Sequence, residues 1–150
     1  MKKIILLTGL GMLAIGLLIQ LIPYGHDHTN PPVNAEPGWD SPETRALAQR
    51  ACYDCHSNET RWPWYSNLAP ASWLIYHDVE EGRMHVNFSD WGRAEEQHAD
   101  EFQEVFDENS MPPSQYLLLH PEARLSPQER QKLFNGLMIL AEQYEEGHGH

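Results

Sequence analysis

Cys52-Tyr53-Asp54-Cys55-His56 is the stretch that decides how this chain is read. Two thiols three positions apart, followed at once by an imidazole, match the C-x-x-C-H pattern of covalent haem attachment. The spacing suits the chemistry. Each thiol can add to one of two porphyrin vinyl groups, and the adjacent imidazole can reach the iron from one face. Chance produces this pattern in roughly one chain per thousand of this length, because Cys and His are rare residues. Cys52 and Cys55 are the only two cysteines, so a disulfide framework is excluded, as is a four-cysteine zinc site made by this chain alone. Two other readings stay open. A dithiol redox centre expects strands alternating with helices, and no such pattern is present. A zinc or copper site needs further soft ligands, for which His77, Met84, His85 and Met111 are the candidates.

Upstream of the motif, Ser41-Pro42-Glu43 reads as a helix start, with Ser41 as cap and Pro42 in the first helical position. The helix runs to Arg50 or Ala51 and turns Leu47 inward. Residues 23–40 carry Pro31-Pro32 and Pro37-Gly38 as breakers and read as a linker; His26 and His28 are ordinary linker residues on this reading. Before them, Lys2 and Lys3 precede an uncharged apolar run from Ile4 to Ile22. As a helix that run is about 30 Å long, enough to cross a hydrocarbon core. The lysines favour the cytoplasmic side for the start of the chain, which puts the remainder outside. A cleaved signal peptide is the rival, although the run is long and ends without an Ala-x-Ala site. Either way the domain is exported, and c-type haem attachment in bacteria is completed outside the cytoplasm.

The chain holds 150 residues, with 10 basic and 22 acidic, for a formal charge of -12. One modest domain plus an anchor fits that length. The acidic balance excludes a phosphate-backbone binder, so no nucleic acid partner is expected. It keeps the domain soluble and suits docking to a basic protein partner.

Downstream of the motif, Arg61-Trp62-Pro63-Trp64-Tyr65 is an aromatic cluster. A flat apolar cofactor needs large apolar walls, which makes Trp62 and Trp64 candidates. Pro70 to His77 begins a second helix that Gly82 is expected to end. Trp73, Tyr76 and His77 share one of its faces, so Trp73 is a further candidate wall and His77 a candidate iron ligand. Arg61 and Arg83 are candidates to pair with propionates, since a guanidinium fork matches a carboxylate. Ser89 or Asp90 is expected to cap a third helix whose apolar stripe is Trp91, Ala94, His98, Phe102, Val105 and Phe106. His98 reads as an interfacial histidine. Asn109-Ser110-Met111-Pro112-Pro113 ends that helix, and the prolines hold the chain extended. A methionine on such a loop is suited to approach iron opposite His56. Ser126-Pro127-Gln128-Glu129 is a complete capping box for the last helix. Leu133, Phe134, Leu137, Met138, Ala141 and Tyr144 form its apolar side, and the helix is expected to end before Gly147.

Taken together, Cys52-Tyr53-Asp54-Cys55-His56-Ser57-Asn58-Glu59-Thr60-Arg61-Trp62-Pro63-Trp64-Tyr65-Ser66, Ala69-Pro70-Ala71-Ser72-Trp73-Leu74, Gly82-Arg83-Met84-His85-Val86-Asn87-Phe88-Ser89-Asp90-Trp91, Met111-Pro112-Pro113-Ser114-Gln115-Tyr116 and His120-Pro121-Glu122-Ala123-Arg124-Leu125-Ser126 carry a resemblance. From Cys52 to Leu133 the chain resembles the small bacterial haem-binding domain family, which belongs with the cytochrome c-like proteins. The resemblance implies an exported or membrane-tethered monohaem protein. It also implies thioether attachment at Cys52 and Cys55 with His56 proximal, and by analogy it supports Met111 as the distal ligand. The interval between the attachment motif and the Met-Pro loop is long and rich in Trp and His, which keeps His77, Met84 and His85 as distal alternatives.

The expectation is therefore an all-α, cytochrome c-like domain at 41–146. It sits behind an N-terminal membrane anchor or signal segment at 1–22 and the linker at 23–40, with a disordered tail at 147–150. It should carry one covalent haem c and transfer single electrons to a redox partner, from a single-pass position in a bacterial inner membrane with the haem domain in the periplasm. A haem-based sensor with a displaceable distal ligand is the alternative. No distal base and arginine pair marks it as an enzyme such as a peroxidase.

Overall fold

The computed structural model describes residues 1–92 and 99–148. Among them the chain is all helical, with only an isolated parallel bridge between Ala35 and Asp90. The described residues form seven α-helices in order: α1 Lys2–Leu18, α2 Pro42–Ala51, α3 Tyr53–His56, α4 Ala71–His85, α5 Ala99–Asp107, α6 Ser114–Leu119 and α7 Pro127–His148. A 3-10 turn, Ile19–Leu21, prolongs α1. The resulting apolar run, Lys2–Leu21, is long enough to span a bilayer, and none of its residues is buried. A signal sequence would look the same by these measures.

Local chemistry sets the helix starts. Ser41 Oγ accepts the Thr44 N–H at 3.2 Å, and Pro42 opens α2. At α7 the capping box forms in both directions: Ser126 N donates to Glu129 Oε2 at 2.8 Å, and Glu129 N donates to Ser126 Oγ at 3.3 Å. α7 continues to His148, one residue past the Gly147 expected to lie beyond it. The core joins Leu47 and Ala48 of α2, Tyr53 of α3, Phe102 of α5 and Leu133, Leu137, Leu140 and Ala141 of α7. Phe88 sits at its centre, stacked between Tyr53 and Trp91. Arg50 ties α2 to α7 through Glu129 at 2.7 Å.

Two expectations change. Gly82 does not end the second helix, because α4 runs on to His85. The glycine instead permits close packing: a Cβ there would meet the Cys55 carbonyl oxygen at 2.7 Å. Ser89 lies in a turn and Asp90 in the bridge to Ala35, rather than at a helix cap. The Ser89 hydroxyl is committed elsewhere, accepting the Asn58 N–H at 3.0 Å, and the Ser89 N–H donates to Asn87 Oδ1 at 2.9 Å. The third helix is described from Ala99 onward; Ala94 and His98 of its expected stripe lie outside the described residues.

Residues 23–40 run along the domain. Asn34 N donates to Ser89 O at 2.8 Å, Asn30 Nδ2 to Thr60 O at 2.9 Å, and Asn58 Nδ2 to Pro32 O at 2.8 Å.

Candidate haem site

The Cys52–His56 motif is held from several sides. Cys52 closes α2, its N–H donating to Ala48 O at 2.8 Å, and its carbonyl accepts the N–H groups of Cys55 and His56 at 3.2 and 2.9 Å as α3 begins. The segment after α4 then grips His56 twice. Phe88 N donates to His56 O at 2.8 Å, and the His56 ring Nδ1 lies 3.1 Å from Val86 O. A carbonyl only accepts, so Nδ1 carries the proton and Nε2 keeps its lone pair free for a metal. Orienting a ligand histidine through a backbone carbonyl is the usual support for an imidazole on a metal. Burial also lowers the His56 pKa, which favours the neutral ring. The chain after the motif is fastened too. Ser57 Oγ donates to Tyr53 O at 2.7 Å and Thr60 Oγ1 to Asp54 O at 2.8 Å.

This motif forms one wall of a cavity of about 490 Å³, within the range of about 300–1,000 Å³ usual for small-molecule and cofactor sites. Cys52, Cys55 and His56 line it, as do Val86 and Phe88 after α4, Phe102, Val105 and Phe106 of α5, Met111, Pro112 and Pro113 of the loop, Tyr116 of α6 and Leu137 of α7. Burial pushes both thiols up to about 12, the reverse of the lowered thiol that a dithiol redox centre uses. Acids also reach the cavity, namely Asp54, Asp78, Glu81, Glu101 and Glu104.

An apolar cavity with two thiols and one imidazole on the same wall fits a haem. The described lining contains no arginine or lysine for its propionates. No group of three or more His, Cys, Asp and Glu side chains arranged to hold a bare metal ion occurs among the described residues. The family comparison agrees: residues 14–138 match the haem-binding domain. The chain belongs to the haem-binding domain family. No curated protein and no solved structure matches it.

Of the residues singled out in sequence, this haem-binding domain brings Cys52, Cys55, His56 and Met111 to one cavity, with His85 also on its lining. The other candidate haem walls, iron ligands and propionate partners lie elsewhere. Trp62 stacks on His28 at 4.4 Å and donates Nε1 to Asn30 Oδ1 at 3.2 Å. Trp64 is 76% exposed. Trp73 is half-buried, and its Nε1 has no hydrogen-bond partner among the described residues. His77 is exposed. Arg61 reaches Asp54 through Nε at 3.4 Å, with its side chain 70% exposed. The Arg83 fork is used within the chain, donating to Ser57 O at 2.8 Å, Thr60 Oγ1 at 2.9 Å and Asn30 Oδ1 at 3.0 Å.

Two supporting residues escaped the sequence reading. Tyr116 Oη donates to Asp54 Oδ2 at 2.7 Å, fastening α6 to the attachment motif. Arg130 of α7 donates to Phe106 O at 2.6 Å and Met111 O at 3.2 Å, and lies 4.5 Å from the centre of the Phe106 ring. Neither carries a local signature: Tyr116 follows the Met-Pro loop and Arg130 is one of several charges on α7. The Phe102, Val105 and Phe106 stripe was legible, but as core packing rather than as a cavity wall.

Proposed function

We propose that this haem-binding domain holds one haem covalently and carries single electrons outside a bacterial inner membrane, tethered by α1. The observation that carries the proposal is the convergence of Cys52, Cys55 and His56 on one wall of an apolar cavity whose margin includes Met111. In attachment, each thiol S–H would add across a vinyl double bond, the sulfur forming a C–S bond and the proton going to the neighbouring carbon. Bound haem supplies an iron that cycles between ferrous and ferric states. The chain's part is to hold His56 with Nε2 free, to keep water from the ring with Phe88, Phe102 and Phe106, and to offer Met111 as the sixth ligand. The acidic side chains at the cavity, with the net charge of -12, suit a basic redox partner.

Denaturing gels of protein matured in a competent host should show haem colour at the protein band. The double change Cys52→Ala, Cys55→Ala should remove it, and colour retained there would overturn covalent attachment. Optical spectra of the purified protein in both oxidation states test the rest, with a low-spin ferrous form insensitive to carbon monoxide expected. The sensor reading has one observation in its favour, since Met111 is 43% exposed on its loop. Rapid carbon monoxide binding to the ferrous protein would favour it over electron transfer.

A further inference from the structure

We propose that the edge of the domain formed by Trp64, Leu68 and Leu74 rests on the lipid bilayer that α1 enters, so that the domain lies against the membrane in one orientation. The proposal depends on α1 being retained as an anchor. At the end of the apolar run, Gln20 does not simply release the chain into a tether. Its side-chain amide pairs with the backbone of Ala69 in both directions, Nε2 donating to Ala69 O at 2.9 Å and Ala69 N donating to Oε1 at 2.9 Å. The chain then stays on the same part of the domain. Tyr24 packs edge-on against Tyr76 with ring centres 5.3 Å apart, and buried Gly25 lies so close to the Ser72 backbone that a Cβ would meet Ser72 O at 2.5 Å.

Around this junction the surface is unusually apolar for so acidic a protein. Trp64, Leu68 and Leu74, none more than five residues from Ala69, are 76%, 49% and 51% exposed. From Thr60 to His77 the sequence has no Asp or Glu, in a chain that has 22 of them. An acid-free apolar edge beside an exposed tyrosine, at the point where a spanning helix leaves the bilayer, is what a membrane–water interface accommodates. Anionic headgroups would repel the rest of the surface. α4 starts at this edge and ends at the cavity, which Asp78, Glu81, Gly82 and His85 help to line. Its 15 residues span about 20 Å. The orientation thus lifts the cavity and its acids off the headgroups and presents them to a partner.

The test uses the full haem-loaded chain, labelled with 5-fluorotryptophan, in phosphatidylcholine nanodiscs with and without lipid carrying a nitroxide near the headgroup. Comparing the two disc types cancels any effect of the iron. The Trp64 resonance, assigned by its loss in Trp64→Phe, should broaden several-fold more than those of Trp39 and Trp91. The pair Leu68→Glu, Leu74→Glu should reduce that broadening while leaving the haem spectrum unchanged. A Trp64 signal indifferent to the labelled lipid in disc-bound protein would overturn the proposal and leave the anchor standing. A signal that responds instead to the number of chains per disc would assign the edge to a second copy, which also overturns it. Failure of the mature protein to enter discs at all would remove the anchor and the proposal together.

Discussion

The wall of the cavity that carries Cys52, Cys55 and His56 and the wall that carries Met111 are built differently. On the first, His56 is gripped through its ring and its carbonyl, and Ser57, Thr60 and Arg83 fasten the chain that follows. Gly82 lets the α4 backbone come against Cys55. On the second, Met111 is 43% exposed, its loop held at the backbone by Arg130 and linked to the first wall by Tyr116. The difference teaches which half must exist before the cofactor arrives. On the proposed covalent attachment, thioether formation would need both sulfurs and the imidazole in fixed positions, and the hydrogen bonds of the first wall would supply that order in advance. Were Met111 the sixth ligand, as proposed, it could close on iron afterwards, and its loop would need only to be near.

The largest expected effect comes from the preformed wall. His56→Ala removes the imidazole and leaves the Val86 carbonyl without its donor; covalent haem should fall to background on haem-stained gels. Retention of a normal low-spin spectrum in that variant would break the comparison, because the ligand would then come from elsewhere.

Packing behind the cavity comes next. Leu137 is 3% exposed and belongs both to the core and to the cavity lining. Leu137→Ala should cost about 2–5 kcal/mol in denaturant unfolding. Gly82→Ala forces a methyl onto the Cys55 backbone and should cost about 1–3 kcal/mol. Its haem yield should fall too, since the methyl would press on the backbone and Cβ of Cys55, one of the two thiols proposed to attach haem.

The Met111 wall should respond in function rather than in stability. Met111→Ala should cost less than about 1 kcal/mol, as expected for a partly exposed side chain. It should nevertheless abolish the far-red sulfur-to-iron charge-transfer band of the ferric protein, open the iron to carbon monoxide and lower the potential. If spectrum and ligand access stay unchanged, His85 is the next candidate by position, ahead of His77, which lies outside the cavity lining.

The smallest effect is on pH dependence. Glu129 is held down to about 2, from an ordinary 4.5, by the Ser126 backbone N–H first and then by Arg50 and the Ser126 hydroxyl. Because its folded pKa is depressed, its contribution is complete above the ordinary value and disappears as pH falls from 4.5 towards 2. Glu129→Gln should flatten the acid limb of the stability profile in that window and leave it unchanged near neutrality.

The Cys52–His56 motif as a cavity-lining unit, the helix caps at Ser41 and Ser126, the α7 stripe and the long apolar start were legible in the sequence by itself. Each depends on residues a few positions apart, and their chemistry requires that spacing. What tertiary structure alone decided is which distant residues share a volume. It brought Phe88, Phe102, Phe106 and Met111 to the cysteines and put the tryptophans at 62 and 64 elsewhere, although these are much closer in sequence. It used Arg83 to fasten the chain and gave Arg130, with no visible role in sequence, to the Met111 loop. Gly82 makes the same point. In sequence a glycine near a helix end reads as a stop, but here it sits within a helix because the backbone of Cys55 lies where a side chain would be. Local spacing encodes bonds within a turn or two. Contacts across the core depend on how helices cross, and no short stretch of sequence contains that information.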